Sequence, residues 1–295
     1  MQCRHGQGGL GGALIRVVSW NIETLDEPWR ELVAMDADVA LLQEARAVPD
    51  DIRERVEISP HMPWLSYDPT SGYPHYDRWP MVVRLSDRVK VEWFRQIGPT
   101  GVSPEHPGNV AVSGIGTIDV ARVIPATGQD PFIAASMYAR WFTPHPITEA
   151  DWIHSDASAH RIISDLSAFI GNYECPAEHR ILAAGDLNLS FQSSDSFDLR
   201  AQTVIDRFQA LGLDYLGPQY PAGRRADPVP KHLTDESLDV PTYYHKPSSN
   251  PAGASVQLDH VFASRGFHKE IQAKALNEVA DWGPSDHCRI AIEVG

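Results

Sequence analysis

Short apolar runs recur through the whole sequence, and a polar residue stands beside the end of most of them. These runs include ALIRVVSWN, ADVALLQE, PFIAASMYA, RILAAGDLN, QLDHVFAS and CRIAIEV, each of the length of a buried β-strand. Two stretches between them, SDASAHRIISDLSAFIGNY and FDLRAQTVIDRFQALG, have apolar residues at helical spacing. Strands in both halves of the chain, with a few helices between them, predict a layered α/β or α+β fold built on two packed sheets.

Length and composition suit one large domain. The chain has 295 residues, of which 42% are hydrophobic, enough for a sizeable core. We expect the glycine-rich residues 1–12 to form a loose N-terminal extension and residues 13–295 to form a single domain. The formal net charge of -14 argues against a basic face that coats nucleic acid or an anionic membrane. It is compatible with an acidic enzyme whose carboxylates hold a divalent cation.

The cysteines indicate a reducing compartment. Cys3, Cys175 and Cys288 are odd in number and far apart, and no CxxC pair suggests a zinc site or a disulfide framework. The N-terminal segment lacks the continuous apolar region of a secretory signal, and no window approaches the roughly 18 apolar residues of a membrane span. We therefore expect a cytoplasmic protein without a membrane span.

Local patterns predict how several elements begin and connect. Asp26 before Pro28 is typical of a helix cap, and Ser155 or Asp156 can cap the helix that follows them. The runs MVVRLSDRVKVEWF, GNVAVSGIGTIDVARVI and PFIAASMYARWF predict a meander of consecutive strands. The proline-rich residues 215–255 predict a long loop that is either functional or poorly ordered.

Polar side chains stand at the ends of strand-like runs, where a buried strand would not need them. They are Asn21, Glu44, Tyr138, Asp186 with Asn188, Asp259, and the SDH triplet of residues 285–287. For any one of them alone, a turn former or a helix cap is an adequate explanation. Glu44 follows the apolar ALLQ, so it is either a helix-starting acid or a carboxylate fixed for a hard divalent cation.

Spacing gives two of these groups a more specific interpretation. Asp186 and Asn188 are two residues apart, so in an extended backbone both side chains leave the same face; a simple Gly-Asp turn is the alternative. Asp286 and His287 are adjacent, so they point in different directions on a strand. His287 then needs another acid, and Asp259 is the natural candidate, unless His287 is merely a core histidine.

Taken together and in this order, six motifs resemble those of the endonuclease/exonuclease/phosphatase superfamily, which has the deoxyribonuclease-I-like fold. The motifs are VVSWN, LLQE, ASMYA, AAGDLN, LDHVFAS and SDHCRIAIEV. The resemblance implies an α/β (α+β) four-layer sandwich, in which two packed mixed β-sheets are flanked by helices.

The resemblance also implies a role for each polar residue. Asn21, Glu44 and Asp286 would surround a Mg²⁺ or Mn²⁺ ion, and Tyr138 would contact the scissile phosphate. Asp186 would orient or deprotonate the attacking water, with Asn188 beside it on the phosphate or on a second metal. His287, paired with Asp259, would stabilise charge on the pentacovalent phosphate. Oxygen donors suit Mg²⁺, whereas the sequence has no HExxH motif that would favour zinc.

The implied activity is divalent-metal-dependent phosphodiester hydrolysis by an Asp-activated water, in a monomeric nuclease that acts on DNA or RNA. A phosphatase or phospholipase-type hydrolase of a small or lipid phosphoester is the alternative. A binding module that kept the fold without chemistry is a third hypothesis, and the presence of Glu44, Asp186 and His287 argues against it.

Aromatic residues beside an arginine are the candidates for substrate binding. Arg140 and Trp141 follow Tyr138 directly, and further aromatics are concentrated in residues 60–80: Trp64, Tyr67, Tyr73, Tyr76 and Trp79. Such residues either stack bases and hold a phosphate, or pack a loop onto the sheet edge. The segment before Asp259 lacks the Asn-x-Gly-Trp-Arg run of exonuclease-III-type enzymes, which argues against a specific abasic-site role.

Overall fold

The computed structural model describes residues 14–61, 79–97, 108–113, 117–141, 155–170, 179–191, 197–231 and 233–295. The expected N-terminal extension, residues 1–12, lies outside the described residues. So do Trp64, Tyr67, Tyr73 and Tyr76 of the aromatic segment.

The described residues form three α-helices and a larger number of short strands. In chain order they are β1 (Ile15–Asn21), α1 (Glu27–Ala34), β2 (Val39–Ala45), β3 (Glu57–Ile58), β4 (Trp79–Arg84), β5 (Val89–Trp93), β6 (Arg95–Ile97), β7 (Asn109–Ala111), β8 (Ile118–Pro125), β9 (Phe132–Tyr138), α2 (Asp156–Leu166), β10 (Ile181–Asp186), α3 (Phe197–Ala210), β11 (Leu213–Gly217), β12 (Asp259–Ser264), β13 (Ile271–Leu276) and β14 (Arg289–Val294). No helix in these ranges is long and apolar enough to span a membrane.

Two mixed sheets, each of six strands, dominate the structure. The first has the order β13-β14-β1-β2-β4-β3, and the second has the order β11-β12-β10-β9-β8-β5. Each sheet has one parallel pair at its centre, β1 with β2 and β9 with β10. The neighbours on either side of these pairs run antiparallel. The carboxyl ends of four strands therefore come together as two parallel pairs.

Three apolar clusters define four layers. The central cluster joins the facing sides of the sheets, with Leu41 of β2 and Leu182 of β10 among its members. A second cluster packs Trp29 of α1 onto the outer face of the first sheet. A third packs α2 and α3 onto the outer face of the second sheet, where Phe208 stacks on Phe262 at 3.9 Å. The predicted four-layer sandwich of two mixed sheets flanked by helices is confirmed.

The expected meander is only partly correct. Strands β5, β8 and β9 are consecutive antiparallel neighbours in the second sheet, but β4 belongs to the first sheet. The chain crosses between the sheets after β4. A pattern of alternating apolar residues indicates that a strand is buried, but it does not indicate which of two packed sheets contains the strand.

The positions of the two expected helix caps are correct, but their side chains do not make the capping hydrogen bonds. Asp26 and Ser155 occupy the N-cap positions of α1 and α2, yet neither side chain accepts a capping hydrogen bond. Asp26 instead binds Arg46, and Ser155 Oγ donates to the backbone oxygen of Asn188 at 2.7 Å. Long-range partners have replaced the local ones, and Ser155 thereby fixes a loop that carries a candidate site residue.

Candidate active site

The two parallel pairs end at the same edge of the sandwich. Asn21 ends β1 beside the end of β2, and in the other sheet Asp186 ends β10 opposite Tyr138 of β9. Asp259 begins the antiparallel strand β12 directly opposite Asp186. His287 lies just before β14, the neighbour of β1. The sheets therefore deliver the predicted polar residues to one place.

Buried His287 is the centre of this arrangement. It is 4% exposed, and its Nδ1 lies 2.8 Å from Asp259 Oδ2. On the other side of the ring, Nε2 lies 3.9 Å from Asp186 Oδ2. Asn21 Nδ2 donates to the same Asp186 oxygen at 2.9 Å and lies 3.5 Å from His287 Nε2. The imidazole is thus held between two buried carboxylates.

Burial and the neighbouring charges shift the pKa values of His287 and Asp186. Burial would lower the pKa of His287, but the carboxylates of Asp259 and Asp186 outweigh it and raise that pKa to about 10. Burial raises the pKa of Asp186 to about 7, although His287 acts in the opposite direction. The imidazole is therefore cationic at neutral pH, whereas the pKa of Asp186 lies close to neutral pH.

Glu44 and Tyr138 meet across the two sheets. Tyr138 Oη donates to Glu44 Oε1 at 2.9 Å. The pairing of β2 with β4 is irregular between Leu42 and Ala45, and Glu44 has a φ of 49°. A bulge of this kind re-aims a side chain at the end of a strand. It turns Glu44 toward Tyr138 of the second sheet.

Left-handed backbone is concentrated around the site. Among the described non-glycine residues, positive φ angles occur at Glu23, Thr24, Glu44 and Asn188. Asn21 Oδ1 accepts from Glu23 N at 3.0 Å, and Thr24 N donates to Glu44 O. Such backbone costs about 1–3 kcal/mol per residue and persists where the surrounding structure enforces it. The site is the part of the fold where these costs are tolerated.

Asn188 reaches Asp186 by a turn, which is the alternative to an extended backbone that the sequence left open. Asn188 N donates to Asp186 Oδ1 at 2.7 Å, and Asn188 Nδ2 lies 3.2 Å from Asp186 Oδ2. The amide also donates to Ala139 O at 3.0 Å. The two side chains are neighbours as predicted, but the φ of 49° at Asn188 brings them together rather than the pleat of a strand.

Arg140 and Trp141 lie at the edge of the site. Trp141 is 53% exposed, and its indole Nε1 donates to Asn188 Oδ1 at 2.7 Å. The Arg140 guanidinium lies 5.7 Å from the ring centroid of Trp79 and 5.8 Å from that of Tyr138. An anchored, exposed indole beside an arginine can bind a flat, anionic ligand.

Asp286 lies among several charged groups of the site. It is half-buried, and burial raises its pKa, with the carboxylates of Glu23 and Glu44 adding to the rise. His287 and Lys246 act in the opposite direction. Lys246 also forms an ion pair with Glu23. Several like charges therefore converge in front of the buried imidazole.

These oxygen donors suit a hard divalent cation. Within the described ranges, no group of three or more His, Cys, Asp or Glu side chains is placed to hold a metal ion. Mg²⁺ retains several waters and is commonly held by one or two carboxylates. Glu44 and Asp286 supply carboxylates of this kind, and the pKa of Asp286 is raised by burial first, with Glu23 and Glu44 adding to the rise. The donor chemistry therefore fits such an ion.

Two residues of the site were missed by the sequence reasoning. Thr242 and Tyr243 lie within the proline-rich stretch that was expected to be a long loop. Thr242 Oγ1 accepts from both Leu258 N and Asp259 N, at 3.0 and 3.1 Å. The ring of Tyr243 lies against His287, with centroids 4.9 Å apart. The short run VPTYY inside that stretch was the available signal.

Close packing below the site requires a glycine at Gly185. Its φ is 153°, and a Cβ at this position would lie 2.0 Å from Met137 O and 2.9 Å from Gln43 Nε2. Gln43 of the first sheet donates a hydrogen bond from Nε2 to Ser136 Oγ of the second sheet at 3.0 Å. A side chain at residue 185 would push β9 away from β10 and would displace the neighbouring Asp186.

Comparisons with known structures agree with this architecture. The catalytic domain of APE2 from Xenopus laevis superposes with a TM-score of 0.58 at 14% identity, over 94% of this chain and 91% of that chain. An AP endonuclease from Leishmania major gives 0.57 at 13%, over 95% and 87%. The 3' phosphatase NExo from Neisseria, bound to a product DNA hairpin, gives 0.52 at 12%, over 95% and 99%. At these identities the likeness shows the fold alone.

Comparisons of sequence give one clear result. No curated protein matches the chain significantly. The family profile described as Endonuclease/Exonuclease/phosphatase family matches residues 18–287, which is most of the chain. This range contains every polar residue of the site described above. The chain therefore belongs to the Endonuclease/Exonuclease/phosphatase family, whose members are hydrolases acting on phosphoesters.

Proposed function

We propose that this protein is a divalent-metal-dependent phosphodiester hydrolase that acts on DNA or RNA. One observation carries the proposal: buried His287 lies between Asp259 and Asp186 at the edge where both parallel strand pairs end. Burying two carboxylates and an imidazole is costly, and such groups cluster at functional sites. Membership of a family of phosphoester hydrolases supports the same interpretation.

Asp186 is proposed to take the proton of the attacking water. Burial raises its pKa to about 7, which suits a group that accepts a proton near neutral pH. Asn21 Nδ2 holds one of its oxygens at 2.9 Å, and the backbone N–H of Asn188 holds the other at 2.7 Å. These two contacts fix the direction from which the carboxylate meets the water.

His287 is proposed to stabilise the negative charge that grows on the phosphate. Its raised pKa keeps it cationic at neutral pH, and Asp259 fixes the ring through Nδ1. Nε2 is then the atom that faces the substrate. Tyr138 Oη, held by Glu44, is proposed to contact the scissile phosphate from the opposite sheet. His287 Nε2 and Tyr138 Oη would then contact the phosphate from two sides and orient it for attack.

A divalent cation, Mg²⁺ or Mn²⁺, is proposed to bind at Glu44 and Asp286, with Asn21 nearby. When bound, it supplies Lewis acidity that neutralises charge on the phosphate and on the leaving oxygen. The chain has a net charge of -14 and cannot attract a polyanion by a general basic surface. Recognition of a phosphate at this site therefore depends on local positive charge.

Trp141 and Arg140 support a nucleic acid as the substrate. The indole is exposed and is anchored directly to Asn188, so a base adjacent to the reacting phosphate can stack on it. Arg140 beside it can contact a neighbouring phosphate.

A metal-dependent activity panel tests the proposal. Purified protein with Mg²⁺ or Mn²⁺ would be incubated with single- and double-stranded DNA and RNA, a phosphorylated sugar and a phospholipid. We expect cleavage of a nucleic acid, its loss on chelation with EDTA, and cleavage lowered by about 100-fold or more in D186N prepared in parallel. D186N controls for contaminating nucleases. Intact nucleic acids together with hydrolysis of the sugar phosphate or phospholipid would replace the nuclease proposal by the small or lipid phosphoester alternative.

A further inference from the structure

Tyr243 is paired with His287 by the backbone. Cys288 N donates to Thr242 O at 2.8 Å, and Tyr244 N donates to Asp286 O at 3.0 Å. These bonds flank an antiparallel bridge between Tyr243 and His287. In an antiparallel ladder such a pair is a non-hydrogen-bonded one, whose side chains lie on the same face and approach most closely. The 4.9 Å separation of the two rings agrees with this geometry.

The position of Tyr243 is fixed by hydrogen bonds of the segment that contains it. The preceding Thr242 is fully buried, and its hydroxyl accepts hydrogen bonds from the backbone of Leu258 and Asp259. The same segment is therefore tied to Asp259 on one side and to His287 on the other. The backbone of residues 242–244 therefore places the Tyr243 ring beside the imidazole–carboxylate pair.

Within the described ranges, no residue hydrogen-bonds to the hydroxyl of Tyr243, and its side chain is only partly exposed. The carboxylates that act on it are those of the site: Asp286, Asp186, Glu23 and Glu44. Burial and these charges raise the pKa of Tyr243, so the phenol keeps its proton at neutral pH. Tyr138, in contrast, already donates to Glu44.

We propose that Tyr243 is a substrate-contacting residue, which donates a hydrogen bond from Oη to a non-bridging oxygen of the phosphate beside His287. This inference rests on the proposed phosphoester hydrolase function. Carboxylates surround the place where an anionic phosphate would bind, and they repel it. A hydrogen-bond donor there helps to hold the phosphate against this repulsion. A neutral phenol beside the imidazole supplies one without adding a further buried charge.

The variant Y243F tests the contact because it removes one oxygen and leaves the ring against His287. Y244F is the matched control, since Tyr244 is the adjacent tyrosine and packs edge-on against Trp282 at 5.5 Å instead. Two readouts are needed. Calorimetry measures the binding of inorganic phosphate to each protein in the presence of Mg²⁺. Hydrolysis of bis(p-nitrophenyl) phosphate gives kcat and KM, and thermal unfolding checks the fold.

We expect Y243F to weaken phosphate binding about tenfold or more, the usual effect of losing a hydrogen bond to a charged group, with a matching loss of kcat/KM. Y244F should stay within about twofold of wild type. If wild type hydrolyses no phosphoester while Y243F still weakens phosphate binding, the proposed function fails and the contact stands. Equal phosphate affinity of wild type and Y243F, or no measurable phosphate binding by either, overturns the contact.

Discussion

Replacing Asp259 by Asn tests the central pair of the site most directly. The carboxylate Oδ2 lies 2.8 Å from His287 Nδ1, and both side chains are buried. Asn keeps the size of the side chain and an oxygen that can accept the same hydrogen bond, but it removes the negative charge. Asp259 is the strongest of the groups that raise the pKa of His287. D259N should therefore weaken the cationic form of the imidazole.

The magnitude follows from the nature of this contact. A hydrogen bond between charged partners contributes about 1.5–3 kcal/mol, roughly twice the value for neutral groups. If that stabilisation is lost where charge develops on the phosphate, kcat/KM should fall by about 10- to 100-fold. Asp186 still faces Nε2 at 3.9 Å in the variant, so part of the cationic character should remain. Complete loss of turnover is therefore not expected.

The assay compares kcat/KM of wild type and D259N on the phosphodiester that the activity panel identifies. The control is D119N, because Asp119 is a similarly buried acid whose carboxylate accepts a hydrogen bond from Val82 N between the sheets. D119N should retain wild-type turnover. Thermal unfolding of both variants separates a loss of activity from a loss of folded protein.

Two results would refute the reasoning. One is wild-type kcat/KM in D259N, which would mean that the charge behind His287 has no role in the reaction. The other is an equal loss in D119N, which would show that any buried acid of the sandwich has the same effect.

Three further predictions follow from individual residues. D186N should lower kcat by about 10²- to 10⁴-fold with little change in unfolding temperature, and a retained rate would exclude Asp186 as the base. G185A should destabilise the fold by more than about 2 kcal/mol in urea unfolding, because the new Cβ meets Met137 O; an unchanged midpoint would contradict this. Burial raises the pKa of Asp119 from 3.8 to about 7, so the native state binds the extra proton and stability should fall as pH rises from about 4 to 7. D119N should remove up to about 4 kcal/mol of that fall, and identical pH dependence in both proteins would contradict the assignment.

The sequence was sufficient to predict the layers and most of the candidate site. Apolar runs of strand length and two amphipathic helices predicted two packed sheets, and the family resemblance added the flanking helices; both are observed. Polar residues at the strand ends could be recognised in the sequence because a buried strand does not otherwise require them. His287 was expected to pair with Asp259, and the structure shows that hydrogen bond.

What escaped the sequence reasoning depends on contacts between distant segments. Tyr243 faces His287 only because residues 242–244 pair with residues 286–288. Ser155 has the identity of a helix cap, yet its hydroxyl serves the backbone of Asn188. Glu23 joins the carboxylates of the site through a turn with a φ of 50°. Pairing between distant segments and positive φ angles at non-glycine residues produce no periodic pattern in the sequence.

The sequence by itself determined which strands end at a polar residue, because the pattern of apolar residues that marks a buried strand spans only a few neighbouring positions. The tertiary structure alone decided that these ends meet. The parallel pairing of β1 with β2 and of β9 with β10 sends four strand ends to one edge, and packing of the sheets brings Asn21 to Asp186 and Glu44 to Tyr138. Burial by itself would lower the pKa of His287, but the carboxylates of Asp259 and Asp186, which tertiary packing brings to the ring, raise it to about 10.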